Sequence, residues 1–86
     1  MIRLHRGPSG LGFTIVGGKG SPHGDLPIFI KRVFNEGAAG RDGRLQMGDQ
    51  LLAVNGISFE DVTHQFAAET LKYLQGDVEL TVLSTD

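Results

Sequence analysis

Thirteen glycines among 86 residues cut this chain into apolar runs too short to be anything but strands, with one exception near its end. Glycine is about twice as frequent as in an average domain, and it is scattered, so turns recur along the whole length. Ile2 and Leu4 alternate with Arg3 and His5 in the two-residue period of a strand. Phe13 to Val16 is a β-branched and aromatic run that ends on Gly17-Gly18, and Ile28 to Val33 is another. Gln50 to Val54 is closed by Asn55-Gly56, a strong hairpin-turn signal, and Ile57 to Phe59 adds a brief extension. Val78, Leu80 and Val82 alternate with Asp77, Glu79 and Thr81 as a final strand.

The exception is His64 to Gln75, where the period changes to that of a helix, with Thr63 as N-cap and Gly76 beyond the last turn. At about 100° per residue, Leu74, Ala67, Leu71, His64 and Ala68 fall within an arc of roughly 120°. That arc is the buried or groove-facing side. Phe66 and Tyr73 project opposite it, toward solvent, under a neighbouring loop or into a second contact surface. Asn35 to Gly43 is rich in small residues and holds one short helical turn, with Leu45 packed inward nearby. Lys19 to Pro27, KGSPHGDLP, reads as a mobile polar connection between two antiparallel strands. The expected result is one α+β domain over residues 1–86, mainly β, with five or six short strands, one short helix and one longer one.

Composition removes whole classes of function. The absence of cysteine excludes disulfides, thiolate zinc sites and a cysteine nucleophile, and it fits a reducing compartment. No apolar run approaches the roughly 20 residues of a membrane span, and MIRLHRG has no apolar signal-peptide region, so a soluble domain is expected. Eight Lys or Arg against ten Asp or Glu leave a net charge of −2, with no basic surplus for nucleic acid. Catalytic motifs fail on spacing. Ser9 lacks the second glycine of a nucleophile elbow, and Lys19 lacks the first glycine and the following Ser or Thr of a phosphate loop. His5, His23 and His64 have no metal-ligand spacing, so neither a metal nor a cofactor is expected.

Ser9-Gly10-Leu11-Gly12 suits binding better. Followed at once by a strand, it can turn successive N–H groups into one concavity that holds a carboxylate, although an ordinary glycine turn fits those four residues equally well. If the outer edge of the strand Phe13 to Val16 is unpaired, a peptide whose terminal carboxylate sits in the loop can lie along it.

Arg6 with GLGF (Gly10 to Phe13), IVGG (Ile15 to Gly18), GAAGRDGRLQMGDQLLAVNG (Gly37 to Gly56) and THQFAAETLK (Thr63 to Lys72) resemble the successive blocks of a PDZ domain, most like those of large multi-PDZ junctional scaffold proteins. The resemblance implies a partly open, antiparallel, barrel-like sheet capped by two helices, binding peptides by strand addition. It implies that the N–H groups of Leu11, Gly12 and Phe13 receive a ligand's terminal carboxylate, with Arg6 helping through an ordered water. Leu11, Phe13, Ile15 and Leu71 then form the pocket for the last side chain. His64, beside Ala68, selects Ser or Thr two residues before the end, while Thr14 and Lys31 lie near the residue before that. The implied ligand is X-Ser/Thr-X-Φ-COOH, with Φ an aliphatic residue. The implied role is a non-catalytic, monomeric adaptor for the C-terminal peptides of membrane receptors, channels or adhesion proteins, cytoplasmic and held at junctions through its partners. Regulation of a protease on the same chain, or domain pairing, are the alternatives.

Overall fold

The computed structural model describes residues 2–5, 10–22 and 24–84. Its elements run β1 (Ile2–His5), β2 (Phe13–Ser21), β3 (Gly24–Val33), α1 (Ala38–Asp42), β4 (Gln50–Val54), β5 (Ile57–Ser58), α2 (His64–Tyr73) and β6 (Asp77–Leu83). All strand pairs are antiparallel, in the order β1-β6-β4-β3-β2, with β5 attached to β4. The expected mainly-β sheet with one short and one longer helix is therefore present. β2 ends the row, a position with consequences for binding.

Alternation decides what enters the core. Ile2 and Leu4, Ile28 and Ile30, and Val78 and Leu80 are buried on one face of their strands, where they meet Leu51, Val54, Phe59 and the expected inward residue Leu45. Asn55 and Gly56 both adopt left-handed backbone, φ 50° and 80°, as a two-residue hairpin turn of the primed type requires. The Asn55 side chain also accepts the Glu79 N–H at 2.7 Å, fastening this turn to β6.

The Lys19 to Pro27 segment differs from expectation: most of it is strand, because β2 and β3 continue pairing to Ser21 and Gly24. The ladder survives by absorbing irregularities. Ile15 pairs with Ile30 and Thr14 with Arg32, so Lys31 is an extra residue. Gly17 pairs with Ile28 and Gly18 with Leu26, which makes Pro27 another. Proline has no N–H to give a ladder and is tolerated at such a bulge. Beyond the bulge, the Asp25 carboxylate accepts the Gly20 N–H at 2.9 Å and holds the hairpin's end.

α2 begins where expected, with the Thr63 hydroxyl accepting the Phe66 N–H at 3.0 Å. It stops at Tyr73, two residues short of Gln75, because Leu74 turns to extended backbone (φ −72°, ψ 143°) and packs against the core. Phe66 has a structural role: its ring meets that of buried Phe59 edge-on, 6.3 Å between centroids. Tyr73 is exposed, with Lys72 Nζ 5.6 Å from its ring centre. Phe66→Ala is expected to cost about 1 kcal/mol in chemical denaturation, and Tyr73→Ala less than about 0.5 kcal/mol. Equal effects would contradict this division.

At the end of α1, the Arg44 side chain bonds the Asp42 carboxylate at 2.8 and 2.9 Å and holds it below the usual carboxylate range. Because the folded value is the lowered one, the stabilisation is present at neutral pH and fades as acid carries the pH down through it.

Candidate functional site

Residues along β2 turn their N–H and C=O groups to alternate edges. The Gly12 carbonyl accepts the Phe34 N–H at 2.8 Å on the β3 side, whereas the Lys19 N–H reaches the Val62 carbonyl at 2.8 Å on the other. Counting between them, Phe13, Ile15 and Gly17 direct their backbone groups to the outer edge, toward α2. That edge is closed at one end. Lys19 pairs with Thr63, and Gly18 lies so near α2 that an added Cβ would stand 2.5 Å from the His64 nitrogen. Between this closure and the glycine loop lies a groove of about 440 Å³.

The loop at the groove's other end is wound by glycine. Gly10 and Gly12 have φ of 80° and 85°, and a Cβ on Gly12 would stand 2.7 Å from the Gly37 Cα, so a side chain there meets both strain and a clash. The Leu11 carbonyl accepts the Ala39 N–H at 2.9 Å and the Gly12 carbonyl accepts from Phe34. In a planar trans peptide the following N–H points opposite the carbonyl. The N–H groups of Gly12 and Phe13 therefore face away from α1 and β3, toward the groove, where successive donors favour an anion.

The side walls are apolar. Leu11 is buried, while Phe13, Ile15 and Leu71 are partly buried, packed on the core and open to the groove on one side. Ala68 leaves space between Leu71 and His64 on α2, and all three line the groove. His64 Nδ1 lies 3.1 Å from the Gly17 carbonyl oxygen. A carbonyl only accepts, so this is a hydrogen bond when Nδ1 carries the hydrogen, which leaves Nε2 as an acceptor in the neutral ring.

Of the site residues expected from sequence, Leu11, Gly12, Phe13, Thr14, Ile15, His64, Ala68 and Leu71 line this one groove. Lys31 is not among its lining residues; it is the extra residue of the β2–β3 bulge, next to Arg32, which lies opposite Thr14. Arg6 and His23 lie outside the described residues. Gly10, from the glycine loop expected to hold a carboxylate, lines the groove as well, and so do Phe34 and Lys72, which were not anticipated. Phe34 arrives there through its pairing with Gly12, a long-range contact that local sequence does not announce. Lys72 follows Leu71 on α2, so the helical arc that includes Leu71 was the available signal.

The family model for the PDZ domain matches residues 1–83. The human Multiple PDZ domain protein is 64% identical over 83 residues, 96% of this chain and 4% of that protein. Rat Disks large homolog 2 is 46% identical over 93 aligned positions, 99% of this chain and 11% of that protein. A crystal structure of Dlg1 PDZ2 from the choanoflagellate Monosiga brevicollis superposes with a TM-score of 0.87 at 48% identity, covering 98% of this chain and 96% of that one. The chain belongs to the PDZ domain family. Membership makes the domain a peptide-binding module rather than an enzyme, and it implies binding of C-terminal peptides. It spans only 4% and 11% of the two relatives' lengths. No helix among the described residues is long and apolar enough to cross a membrane.

Proposed function

We propose that this domain is an adaptor that captures partner C-termini of the form X-Ser/Thr-X-Φ-COOH, where Φ is Val, Leu or Ile. The carrying observation is an outward-facing stretch of β2, Phe13 to Gly17, with glycine-loop donors at one end and a histidine at the other. A peptide added antiparallel to β2 presents its carboxylate to the N–H groups of Leu11, Gly12 and Phe13, with Arg6 assisting. Its last side chain enters between Leu11, Phe13, Ile15 and Leu71. Its third-last residue comes level with Ile15, where a hydroxyl donates to His64 Nε2. Thr14 and the cations of β3, Lys31 and Arg32, flank the residue before that and favour an acidic side chain, worth about 0.2–1 kcal/mol at an exposed position.

About four gripped residues bury far less than a standard protein interface, so affinity is expected near roughly −6 to −8 kcal/mol, with avidity from neighbouring domains deciding partner choice. The tails of membrane receptors, channels or adhesion proteins meet this description, placing the domain at the cytoplasmic side of junctions. The hydroxyl preference is tested with two peptides ending in Thr-x-Val and Ala-x-Val. The Thr peptide is expected to bind about five- to tenfold more tightly, one net hydrogen bond's worth, and His64→Ala should erase most of that difference. Unchanged Thr/Ala discrimination in the variant would remove His64 from selection.

A further inference from the structure

One short segment, Phe34 to Ala39, holds the glycine loop from behind. The Phe34 N–H donates to the Gly12 carbonyl at 2.8 Å and the Ala39 N–H to the Leu11 carbonyl at 2.9 Å, so two successive peptide planes of the loop are fastened by it. Between those two donors, the Gly37 N–H returns to the Phe34 carbonyl at 3.0 Å and closes a turn. Gly37 is buried, and a Cβ added to it would stand 2.5 Å from the Gly12 Cα, with the Gly12 N and C next at 3.4 and 3.5 Å. The nearest atoms it would meet all belong to Gly12.

Which side would yield follows from what anchors each. The α1 side is fixed: Ala39 is fully buried, the Gly37 carbonyl accepts the Arg41 N–H at 3.0 Å, and a Cβ on Gly40 would stand 2.6 Å from the Asn35 Cα. Gly12 has the open groove on its other side. A methyl group on residue 37 therefore pushes Gly12 toward the groove, from 2.5 Å to the 3.4 Å at which ordinary contact begins. An N–H···O bond tolerates only about 2.7–3.2 Å, so the Gly12 and Phe13 donors lose their aim. Gly37 itself has extended backbone, φ −86° and ψ 175°, where alanine brings no strain of its own.

We infer that Phe34 to Ala39 is a brace that aims the loop's donors at a ligand's carboxylate, with Gly37 as its positioning residue, an inference that rests on the C-terminal capture proposed above. The test measures peptides ending in Thr-x-Val as acid and as amide, and the Ala-x-Val acid, against Gly37→Ala. The acid/amide ratio is expected to fall from more than about tenfold to about threefold or less, while the Thr/Ala preference, set at the far end of the groove, is kept. Gly43→Ala is the control: at α1's other end, with φ 82° and nothing within 4 Å of an added Cβ, it strains the backbone but should keep the native ratio. A native ratio in Gly37→Ala, or an equal loss in Gly43→Ala, overturns the brace. A second measurement needs no variant. Coupling is reciprocal, so at matched occupancy the acid peptide should slow hydrogen exchange at the Phe34 and Ala39 amides more than the amide peptide does. The Asn55 amide, bonded to the Glu79 carbonyl in a distant turn, should show no such difference. Equal protection of Phe34 and Ala39 by both peptides also overturns the brace. An acid/amide ratio near one in the unaltered domain would instead overturn C-terminal capture, and the brace with it.

Discussion

A peptide ending in Thr-x-Val with a free carboxylate is expected to bind more than tenfold tighter than its C-terminal amide, a difference above about 1.4 kcal/mol. The glycine loop explains the sign. Its carbonyls at Leu11 and Gly12 are committed to Ala39 and Phe34, so the N–H groups on the opposite sides of those peptide planes face the groove. Hydrogen bonds from such donors to a charged acceptor are worth roughly 1.5–3 kcal/mol each, and an amide replaces the anion with a neutral group that also brings donors of its own. Amide and acid have nearly the same shape, so the apolar pocket contributes equally to both. Titration calorimetry or fluorescence anisotropy on the pair reads the difference directly. Equal affinities would mean that the loop is only a turn, and that a ligand, if bound along β2, is recognised as an internal segment.

The parts of this site that were legible in the sequence are those set by local rules. Glycine on both sides of Leu11 announces a backbone that exposes donors, the Phe13 to Val16 run announces a strand directly after it, and helical spacing groups His64, Ala68 and Leu71 on one arc. The roles of those residues came from resemblance, since an ordinary turn and a plain core were equally compatible with the pattern. What escaped depends on register. Lys19 to Pro27 looked like a loop because glycine, proline and serine usually end strands, yet here Pro27 falls on a bulge and the ladder runs on. The same bulging sets Arg32 across from Thr14 and leaves Lys31 as the extra residue, a register that no propensity encodes. Phe34 became a groove residue only because its N–H pairs with Gly12. For Phe66 the sequence left solvent, a neighbouring loop and a second contact surface open, because its partner, Phe59, belongs to a different segment.

Substituting Gly18 by alanine is expected to damage the fold and the selectivity together. Gly18 has φ 110°, and its missing Cβ would stand 2.5 Å from the His64 nitrogen and 2.9 Å from the His64 Cα. Those atoms are backbone, so neither a rotamer change nor a flexible side chain can relieve the clash. The start of α2 has to move away from β2. That movement takes with it the Lys19–Val62 hydrogen bond and the contact between His64 Nδ1 and the Gly17 carbonyl, which fixes the ring. Gly20 supplies the control: it shares the left-handed backbone, φ 79°, but has nothing within 4 Å of an added Cβ. Gly20→Ala should therefore cost only backbone strain, about 1 kcal/mol, whereas Gly18→Ala adds the steric displacement and should reach about 2–4 kcal/mol in chemical denaturation. Under conditions where Gly18→Ala remains folded, its Thr/Ala peptide discrimination should fall toward that of His64→Ala, while Gly20→Ala keeps the native preference. If the two alanine variants lose equal stability and both retain discrimination, close approach of strand and helix is not what positions His64, and the histidine's orientation must be set from within α2 alone.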